Sequence, residues 1–468
     1  MLLRVSSVFT VKSGEIQIFS CLGGFFVKKE SAKLCRGLGL LLLALALFRS
    51  FSLGGGSVAQ SLILLLGFLA AGLLAAFFAQ KEGGNRQLTE VLLLPIGLAL
   101  FLRGFLLPHQ TLDYQNFLMH WVQFFRDNGG FSALCQPVGN YNVPYLYLLA
   151  LISYLPVSDL YLIKLASIMF DVLLAWGGWR LAKQVGGDSG GPAAFSVLLL
   201  LPTVVLNGSC WGQCDAIWAA LCVHALADAL DRHPLRSVSL MGLAFAFKLQ
   251  AIFILPLWGA LWLCGKVKFR HLWAFPGVFA LTMVPALLAG KPVADILGVY
   301  VGQTTDSVSW QTLNYNSPSV VTLFPVGHQP GPWGPAVGIG LAFLLVLVVL
   351  GLLIWKRKAA DSTAFILGGI VLSLGVPFFL PYMHERYFYL GGVLLAVWAC
   401  THRRAAVPAL GAELASLGGY HAYLAMKFAL PITIFGLTWT QPVEGLLMLF
   451  ALGWSAAALW RKWNGCLV

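Results

Sequence analysis

The feature that most constrains this chain is a series of apolar runs, each about as long as a bilayer is thick. A transmembrane helix needs about 20 mostly apolar residues, and such runs recur from one end of the sequence to the other. With 59% hydrophobic and 10% charged residues, the chain is predicted to be an all-α polytopic membrane protein. The runs lie at about 37–53, 57–79, 89–107, 160–183, 191–208, 213–230, 272–289, 332–355, 362–380, 386–400, 421–438 and 443–460.

Two further apolar stretches do not fit a single pass. Run 237–264 is long enough for two passes, with a break near Lys248. Run 142–157 is short and begins near Pro144, so it is expected to be re-entrant or half-spanning. The pattern therefore predicts about 13–14 transmembrane helices.

The distribution of positive charge predicts the orientation of these helices. With the N-terminus inside, the loops on the inner side and the N-terminal tail hold 22 of the 30 Lys and Arg residues. This is the positive-inside pattern of membrane proteins, and segment 404–420 would then lie on the inner surface. The net charge of +12 is scattered over short loops, so no nucleic-acid partner is expected.

Two classes of site are not indicated by the sequence. The nine cysteines include no Cys-x-x-Cys pair, and no histidine completes a zinc-like set around Cys210 and Cys214. No Walker, Rossmann or His-Glu-x-x-His motif is present. We therefore predict neither a metal nor a cofactor.

A short polar stretch after the third apolar run contains a candidate catalytic acid, Asp113. It precedes an amphipathic segment, Tyr114–Arg126, whose aromatic residues recur at helical spacing. Such a helix is suited to the outer membrane interface, where a carboxylate can act as general base towards an acceptor hydroxyl. The alternative is that Asp113 only caps the helix.

Two other polar positions fall on the same outer side. Gln213 and Asp215 could hydrogen-bond sugar hydroxyls, and Trp211 could stack on a pyranose ring; the alternative is a helix start with an interfacial tryptophan. Lys248 interrupts an otherwise uncharged run. A lysine there needs a cavity or a partner, so it either anchors a phosphate or forms a structural ion pair.

A basic motif and a long loop complete the outer side. His384, Glu385 and Arg386 stand at a helix start, where the histidine and arginine could hold a phosphate; the alternative is an interfacial cluster. Loop 290–331 is expected to be a lid over a sugar site or a disordered connector. Arg103 and Lys164, near outer helix ends, are expected to add to the same polar cleft. The lid is expected to bind sugar through Asn314 and Asn316.

Taken together, these residues resemble the GT-C class of membrane glycosyltransferases. The pattern looks like that of the endoplasmic-reticulum glucosyltransferases that extend lipid-linked oligosaccharides, and of their bacterial relatives. The resemblance covers about 89–400. Residues 1–36 would then be a cytoplasmic tail, 37–88 two leading transmembrane helices and 401–468 C-terminal transmembrane helices. The matching positions are Asp113-Tyr114, His120-Trp121, Tyr141–Tyr147, Phe247-Lys248 with Gln250, and His384-Glu385-Arg386.

The resemblance implies an inverting enzyme that takes a sugar from a polyprenyl-phosphate donor, with Asp113 as base. Lys248, His384 and Arg386 would bind the donor phosphate. Gln250 and Tyr387 would join Glu385 and the residues above in binding sugar or acceptor. The acceptor would be a glycan, glycolipid or protein on the outer face of a bacterial plasma membrane. The alternatives are a transporter or flippase of a lipid-linked sugar, or a ligase for a polyprenyl-linked glycan.

Overall fold

The computed structural model describes a bundle of helices with very little sheet. The described residues are 15–18, 25–309, 313–324, 331–355, 357–424, 433–434, 437–438 and 440–464. The α-helices are α1 Lys29–Ser52, α2 Val58–Gly83, α3 Arg86–Leu106, α4 Met119–Asp127, α5 Val143–Ser153, α6 Asp159–Gly186, α7 Gly190–Leu200, α8 Pro202–Val205, α9 Asp215–Leu230, α10 Pro234–Phe247, α11 Pro256–Leu263, α12 Phe269–Leu272, α13 Ala274–Leu288, α14 Val293–Ser309, α15 Gly334–Trp355, α16 Ser362–Phe379, α17 Tyr389–Thr401, α18 Ala406–Leu424 and α19 Thr440–Trp463.

Other regular elements are short. Two π-helical segments cover Tyr114–Leu118 and Leu206–Trp211, and 3-10 turns cover Gly130–Cys135, Gly187–Ser189, Leu249–Phe253, Val320–Leu323 and Arg403–Ala405. The strands are β1 Glu15–Ile18, β2 Phe25–Lys28, β3 Asn314–Tyr315, β4 Met383–His384, β5 Thr433–Ile434 and β6 Leu437–Thr438. They form three two-stranded pairs, β1–β2, β3–β4 and β5–β6, of which only β3–β4 is parallel.

The predicted all-α polytopic membrane class is confirmed. Among the described residues, eight helices are long and apolar enough to span a membrane, or nine if the bent pair Gly190–Leu200 and Pro202–Trp211 is one span. The remaining predicted transmembrane passes correspond to helices that are shorter or less apolar than a full span, such as α9, α10 and α17. Protein surrounds α9 and α17, so these two helices need neither the length nor the apolarity of a lipid-facing span.

The charged loops gather at one end of the bundle, which we call the basic face: 81–86, 180–190, 228–236, 264–268, 357–361, 401–405 and 461–464. Ion pairs join some of these loops to one another. Lys183 Nζ lies 3.6 Å from Glu82 Oε2, which joins loops 180–190 and 81–86. Lys462 Nζ lies 2.7 Å from Asp361 Oδ2, which joins 461–464 to 357–361. The opposite end, which contains Asp113, is the site face.

Helix α5 starts and ends at the site face. Its 11 residues extend only about 16 Å. Tyr154, just beyond its end, accepts a hydrogen bond through its hydroxyl from the Phe131 backbone N–H at 2.9 Å. Residues 142–157 therefore do not cross the bundle, as expected from the short length of the run.

Run 237–264 reverses direction at the site face. Helix α10 ends where Lys248 adopts an extended backbone (φ −154°, ψ 132°). The chain then returns through Leu249–Phe253 and α11. At the basic end, the Cys264 thiol lies 3.5 Å from the Leu353 carbonyl. The chain therefore runs from the basic face to the site face and back, with Lys248 at the turn, on two helices shorter than a full span.

A broken span leads into the site. Helices α7 and α8 meet at a bend of 47°, where Pro202 cannot continue the hydrogen-bond ladder. Arg103 donates to the freed Leu199 carbonyl at 2.7 Å and pairs with Asp171 at 2.9 Å. Glu413 accepts from the freed Thr203 N–H at 2.8 Å. Two charged side chains from other helices thus satisfy the backbone groups at this bend.

Arg103 and Lys164 do not line a polar cleft, so that expectation was wrong. Arg103 is occupied at the bend, and Lys164 is fully buried. The Lys164 ammonium donates to the carbonyl of Leu107 at 2.9 Å and to that of His109. It therefore caps the last turn of α3 and fixes the start of the stretch that leads to Asp113.

Helix α18 differs from the prediction that segment 404–420 lies on the inner surface. It begins beside the basic face, its Glu413 reaches the bend, and Tyr420 touches Asn207 at the site face. Helix α18 therefore passes through the bundle. Small and polar residues on its buried side lower its hydropathy; they include Ala412, Glu413, Ala415 and Ser416. Most of the predicted span 421–438 lies outside the described residues.

Candidate active site

Asp113 points into the protein and does not cap its own helix. It precedes the π-helical segment Tyr114–Leu118 and makes no side-chain capping bond. Its Oδ2 atom accepts hydrogen bonds from Trp211 Nε1 at 2.8 Å and from Gln213 Nε2 at 2.7 Å. No described residue donates to the other carboxylate oxygen, and the side chain is 14% exposed. The capping alternative is therefore wrong.

The broken span presents its polar residues through a change of backbone geometry. Its second half is π-helical over Leu206–Trp211 and ends at Gly212, whose φ of 80° favours glycine. Isolated π-helical turns often occur at functional sites. Here one such segment follows Asp113 and the other precedes Gln213. The turn at Gly212 places Gln213 and Asp215 on the same side as Asp113.

Asp215 is buried and fully occupied. Its Oδ1 atom accepts from Lys248 Nζ at 2.5 Å and from Trp218 Nε1 at 3.0 Å. Its Oδ2 atom accepts from Asn207 Nδ2 at 2.8 Å and lies 3.7 Å from Arg386. With 1% exposure, Asp215 is placed as a counter-ion of two cations, and both of its oxygens are engaged inside the protein.

Lys248 forms the ion pair that was one of its two predicted roles. Besides Asp215, its ammonium lies 5.8 Å from the centre of the Tyr141 ring, a cation–π distance. Tyr141 in turn donates its hydroxyl proton to Gln213 Oε1 at 3.2 Å. The ion pair with Asp215 does not prevent Lys248 from binding a phosphate as well. It holds the Lys248 ammonium at the site face, beside the residues that bind Asp113.

The segment of His384, Glu385 and Arg386 connects loop 290–331 to this cluster. Strand β3 of that loop pairs with β4, so the Tyr315 ring stacks on His384 with centroids 4.5 Å apart. Arg386 donates from NH1 to Gln213 Oε1 at 2.6 Å and lies 3.9 Å from Asp113. The first part of the predicted loop is helix α14, so a disordered connector was wrong for residues 293–309.

Burial changes the charge expected on two of these side chains. It lowers the pKa of His384 to about 3, with Arg386 and Lys248 adding to the effect. His384 can therefore offer a neutral N–H and not a positive charge. Burial raises the pKa of Glu385 to about 7, although Arg386 opposes the rise. None of the described residues donates a hydrogen bond to Glu385 Oε2.

Trp211 is not available to stack on a sugar, contrary to the prediction. It is fully buried, with Tyr423 stacked on it at 5.0 Å and the Arg386 guanidinium 5.2 Å from its ring centre. Its observed role is to donate an N–H to Asp113. The Trp211 indole is apolar apart from its N–H, so it suits a buried position where the N–H has an acceptor. It is not exposed, as stacking on a sugar would require.

Several other predicted residues stand at the edge of the cluster. The Asn314 amide closes a local turn with Ser317, while Asn316 pairs with the His384 backbone. Gln250 is buried beside Tyr387. His120 is exposed and does not join the cluster, whereas Trp121 packs edge-on against Tyr141.

Sequence reasoning missed Asn207, Tyr420 and Tyr423. Asn207 stands in a polar stretch that was visible, and it contacts both Asp215 and Tyr420. The tyrosines come from α18, more than 200 positions later, and no local pattern marks them. Among the described residues, no group of three or more His, Cys, Asp and Glu side chains is arranged to hold a metal.

Comparison with known proteins was decisive for the class. The family model of glycosyltransferase family 87 matches residues 140–381, which is more than half of the chain. The chain belongs to glycosyltransferase family 87. The predicted GT-C class is confirmed, and glycosyltransferase activity is favoured over the transporter alternative. The match contains Gln213, Asp215 and Lys248 but ends before Arg386 and begins after Asp113. No curated protein sequence matches this chain.

Proposed function

We propose that this family 87 enzyme transfers a sugar from a polyprenyl-phosphate donor to an acceptor hydroxyl, with inversion, at the outer side of the membrane. One observation carries the proposal. A carboxylate with one open oxygen, Asp113, lies within 4 Å of the guanidinium of Arg386, and Arg386 and Lys248 share a buried counter-ion. A base and two cations thus meet at one end of a membrane bundle.

Asp113 would act as the general base. Its open oxygen would take the acceptor hydroxyl proton while the acceptor oxygen bonds to the anomeric carbon. The bond from that carbon to the phosphate oxygen would break, and the electron pair would leave with polyprenyl phosphate. Attack from the side opposite the phosphate inverts the anomeric centre.

Lys248 and Arg386 would stabilise the charge that develops on the leaving phosphate. Arg386 can form a two-pronged contact, Lys248 offers a point charge, and neutral His384 can add one N–H. The positive charges of Lys248 and Arg386 are already neutralised by the carboxylates of Asp113 and Asp215. A phosphodiester donor adds one negative charge to this site, so it is accommodated more easily than a diphosphate, which adds more.

The outer location rests on the charge distribution. The loops of the basic face and the N-terminal tail hold 20 of the 30 Lys and Arg residues, and such loops remain on the cytoplasmic side. The site face would then open outwards, where a glycan, glycolipid or protein hydroxyl can reach it. This arrangement suits a lipid-linked donor, because nucleotide sugars are cytoplasmic substrates.

The test is transfer by the purified chain in nanodiscs, supplied with radiolabelled polyprenyl-phosphate hexoses or with nucleotide sugars. We expect transfer from a polyprenyl-phosphate sugar, with inverted product configuration and a loss of about 10²–10⁴-fold in D113N. The matched control is D127N, because Asp127 is an exposed acid on α4 that, among the described residues, is bound by Gln123. Transfer from nucleotide sugars alone would overturn the donor assignment. D113N turnover within about twofold of wild type would move the base elsewhere, with Glu385 next.

A further inference from the structure

We propose that Gln213 is a positioning residue that ties the base to the phosphate-binding arginine. This inference rests on the proposed role of Asp113 as base. Gln213 has one amide, and both ends of that amide are used. Its nitrogen binds Asp113 and its oxygen binds Arg386.

The first contact selects which oxygen of Asp113 can react. Gln213 Nε2 and Trp211 Nε1 both donate to Oδ2, at 2.7 and 2.8 Å. Two donors on one oxygen fix the rotation of the carboxylate, which leaves the other oxygen to receive a proton. A base must be held within hydrogen-bond reach of the proton that it removes, so this fixation has a direct catalytic use.

The second contact fixes the orientation of the amide. Gln213 Oε1 accepts from Arg386 NH1 at 2.6 Å and from the Tyr141 hydroxyl at 3.2 Å. Rotating the amide by 180° would turn its N–H groups towards the guanidinium and its oxygen towards the carboxylate, so both contacts would become repulsive. Only one orientation satisfies Asp113 and Arg386 together.

The backbone of Gln213 is held as firmly as its side chain. Its N–H donates to the Asn207 carbonyl at 3.0 Å, and its carbonyl accepts from the Ser167 hydroxyl at 2.7 Å. The residue is 4% exposed and follows the left-handed turn at Gly212. Because both ends are anchored, Gln213 acts as a rigid spacer between Asp113 and Arg386.

A fixed spacing between base and phosphate site matters for catalysis. A displacement of about 1 Å at a reacting group can cost about 10²-fold in rate. Without Gln213, Asp113 would retain Trp211 and Arg386 would retain Asp215, so each residue would stay in place approximately. Their mutual distance would no longer be set, and we expect turnover to suffer more than donor binding.

The experiment is a double-mutant cycle of Gln213 and Asp113 in nanodiscs, with turnover of a radiolabelled polyprenyl-phosphate hexose as readout. We expect Q213L to lower turnover about ten- to a hundred-fold, because it removes a hydrogen bond to a charged group. In the D113N background the same change is expected to cost less than about threefold, since residues that act through each other are not additive. Donor-lipid affinity should fall less than turnover does.

The matched control is Tyr114→Phe, in wild type and in D113N. Tyr114 adjoins Asp113 but donates to Asp159 at 3.2 Å, so any loss should be the same in both backgrounds. Q213E is the second variant if Q213L does not fold. It keeps an oxygen for Arg386 but sets a carboxylate against Asp113, and turnover should fall at least as far.

The outcomes separate the two proposals. An equal loss for Q213L in both backgrounds would mean that Gln213 does not act through Asp113, and it would overturn this inference alone. Wild-type turnover in D113N would overturn the base assignment, and with it the inference. A Q213L enzyme with wild-type turnover would overturn the inference while leaving Asp113 as base.

Discussion

Glu413 accepts two hydrogen bonds from Thr203, a residue 210 positions earlier in the chain, one from its backbone N–H and one from its hydroxyl. This pair lies at the bend between α7 and α8, where Arg103 satisfies the Leu199 carbonyl on the other side. Helix α18 thus reaches back to the segment that carries Trp211, Gln213 and Asp215. The geometry of the candidate site depends on a helix outside the family match.

We expect Glu413→Ala to destabilise the protein by about 1–3 kcal/mol, because it leaves the buried Thr203 N–H without an acceptor. Glu413→Gln keeps one acceptor oxygen and should cost less. The measurement is thermal unfolding of the purified chain in detergent. Glu30→Ala is the control, since Glu30 is exposed and its ion pair in the described part of the chain is with the exposed Lys33. A change within about 0.5 kcal/mol is expected there. Equal effects at both positions would contradict the role of the bend contact.

The donor phosphate is expected to bind Lys248 and Arg386 together. Lys248→Ala and Arg386→Ala should each weaken donor-lipid binding about tenfold or more, as expected for a contact with a charged group. The double mutant should lose less than the sum of the two, because both cations share Asp215 as well as the ligand. Arg386→Lys should not restore affinity fully, since a fork differs from a point charge. Strictly additive losses would indicate two separate sites.

Stability is expected to fall as pH rises from about 4 to about 7, and then to level off, because of Glu385. Burial raises the pKa of Glu385 to about 7 in the folded chain, above the ordinary value of about 4.3. The folded state then favours the protonated acid. The stabilisation is complete below a pH of about 4, is lost progressively while only the unfolded state ionises, and is gone above a pH of about 7.

Thermal unfolding of wild type and Glu385→Gln between pH 5 and pH 8 measures this effect. The variant cannot ionise at this position, so its stability should fall less over that window. His384 should contribute little there, because burial lowers its pKa to about 3. Parallel pH profiles for the two proteins would show that Glu385 does not titrate in this range.

Single-cysteine labelling is expected to place the two faces on opposite sides of the membrane. Asn116→Cys on the site face should react with an impermeant reagent from outside. Lys268→Cys and Arg404→Cys on the basic face should react only after permeabilisation. All three positions are exposed, and the background should lack the native cysteines. The reverse pattern would put the site in the cytoplasm and favour a nucleotide-sugar donor.

The sequence alone determined the class of the protein and the positions of most polar residues in the site. Apolar runs and the Lys/Arg asymmetry are local signals, because each run must match the bilayer by itself. The same holds for Asp113, Lys248 and Arg386, each of which follows or interrupts an apolar run. A charge at such a place needs a partner or a cavity, and this made all three visible.

Only the tertiary structure decided how these residues are connected. The role of Trp211 as an N–H donor, the position of Gln213 between Asp113 and Arg386, and the passage of α18 through the bundle all depend on contacts between distant segments. Hydropathy could not identify α18 as a pass, because a helix surrounded by protein can bury small and polar side chains that lipid would exclude. Hydropathy reports what faces lipid, whereas the pairing of buried polar groups is fixed by which helices pack together.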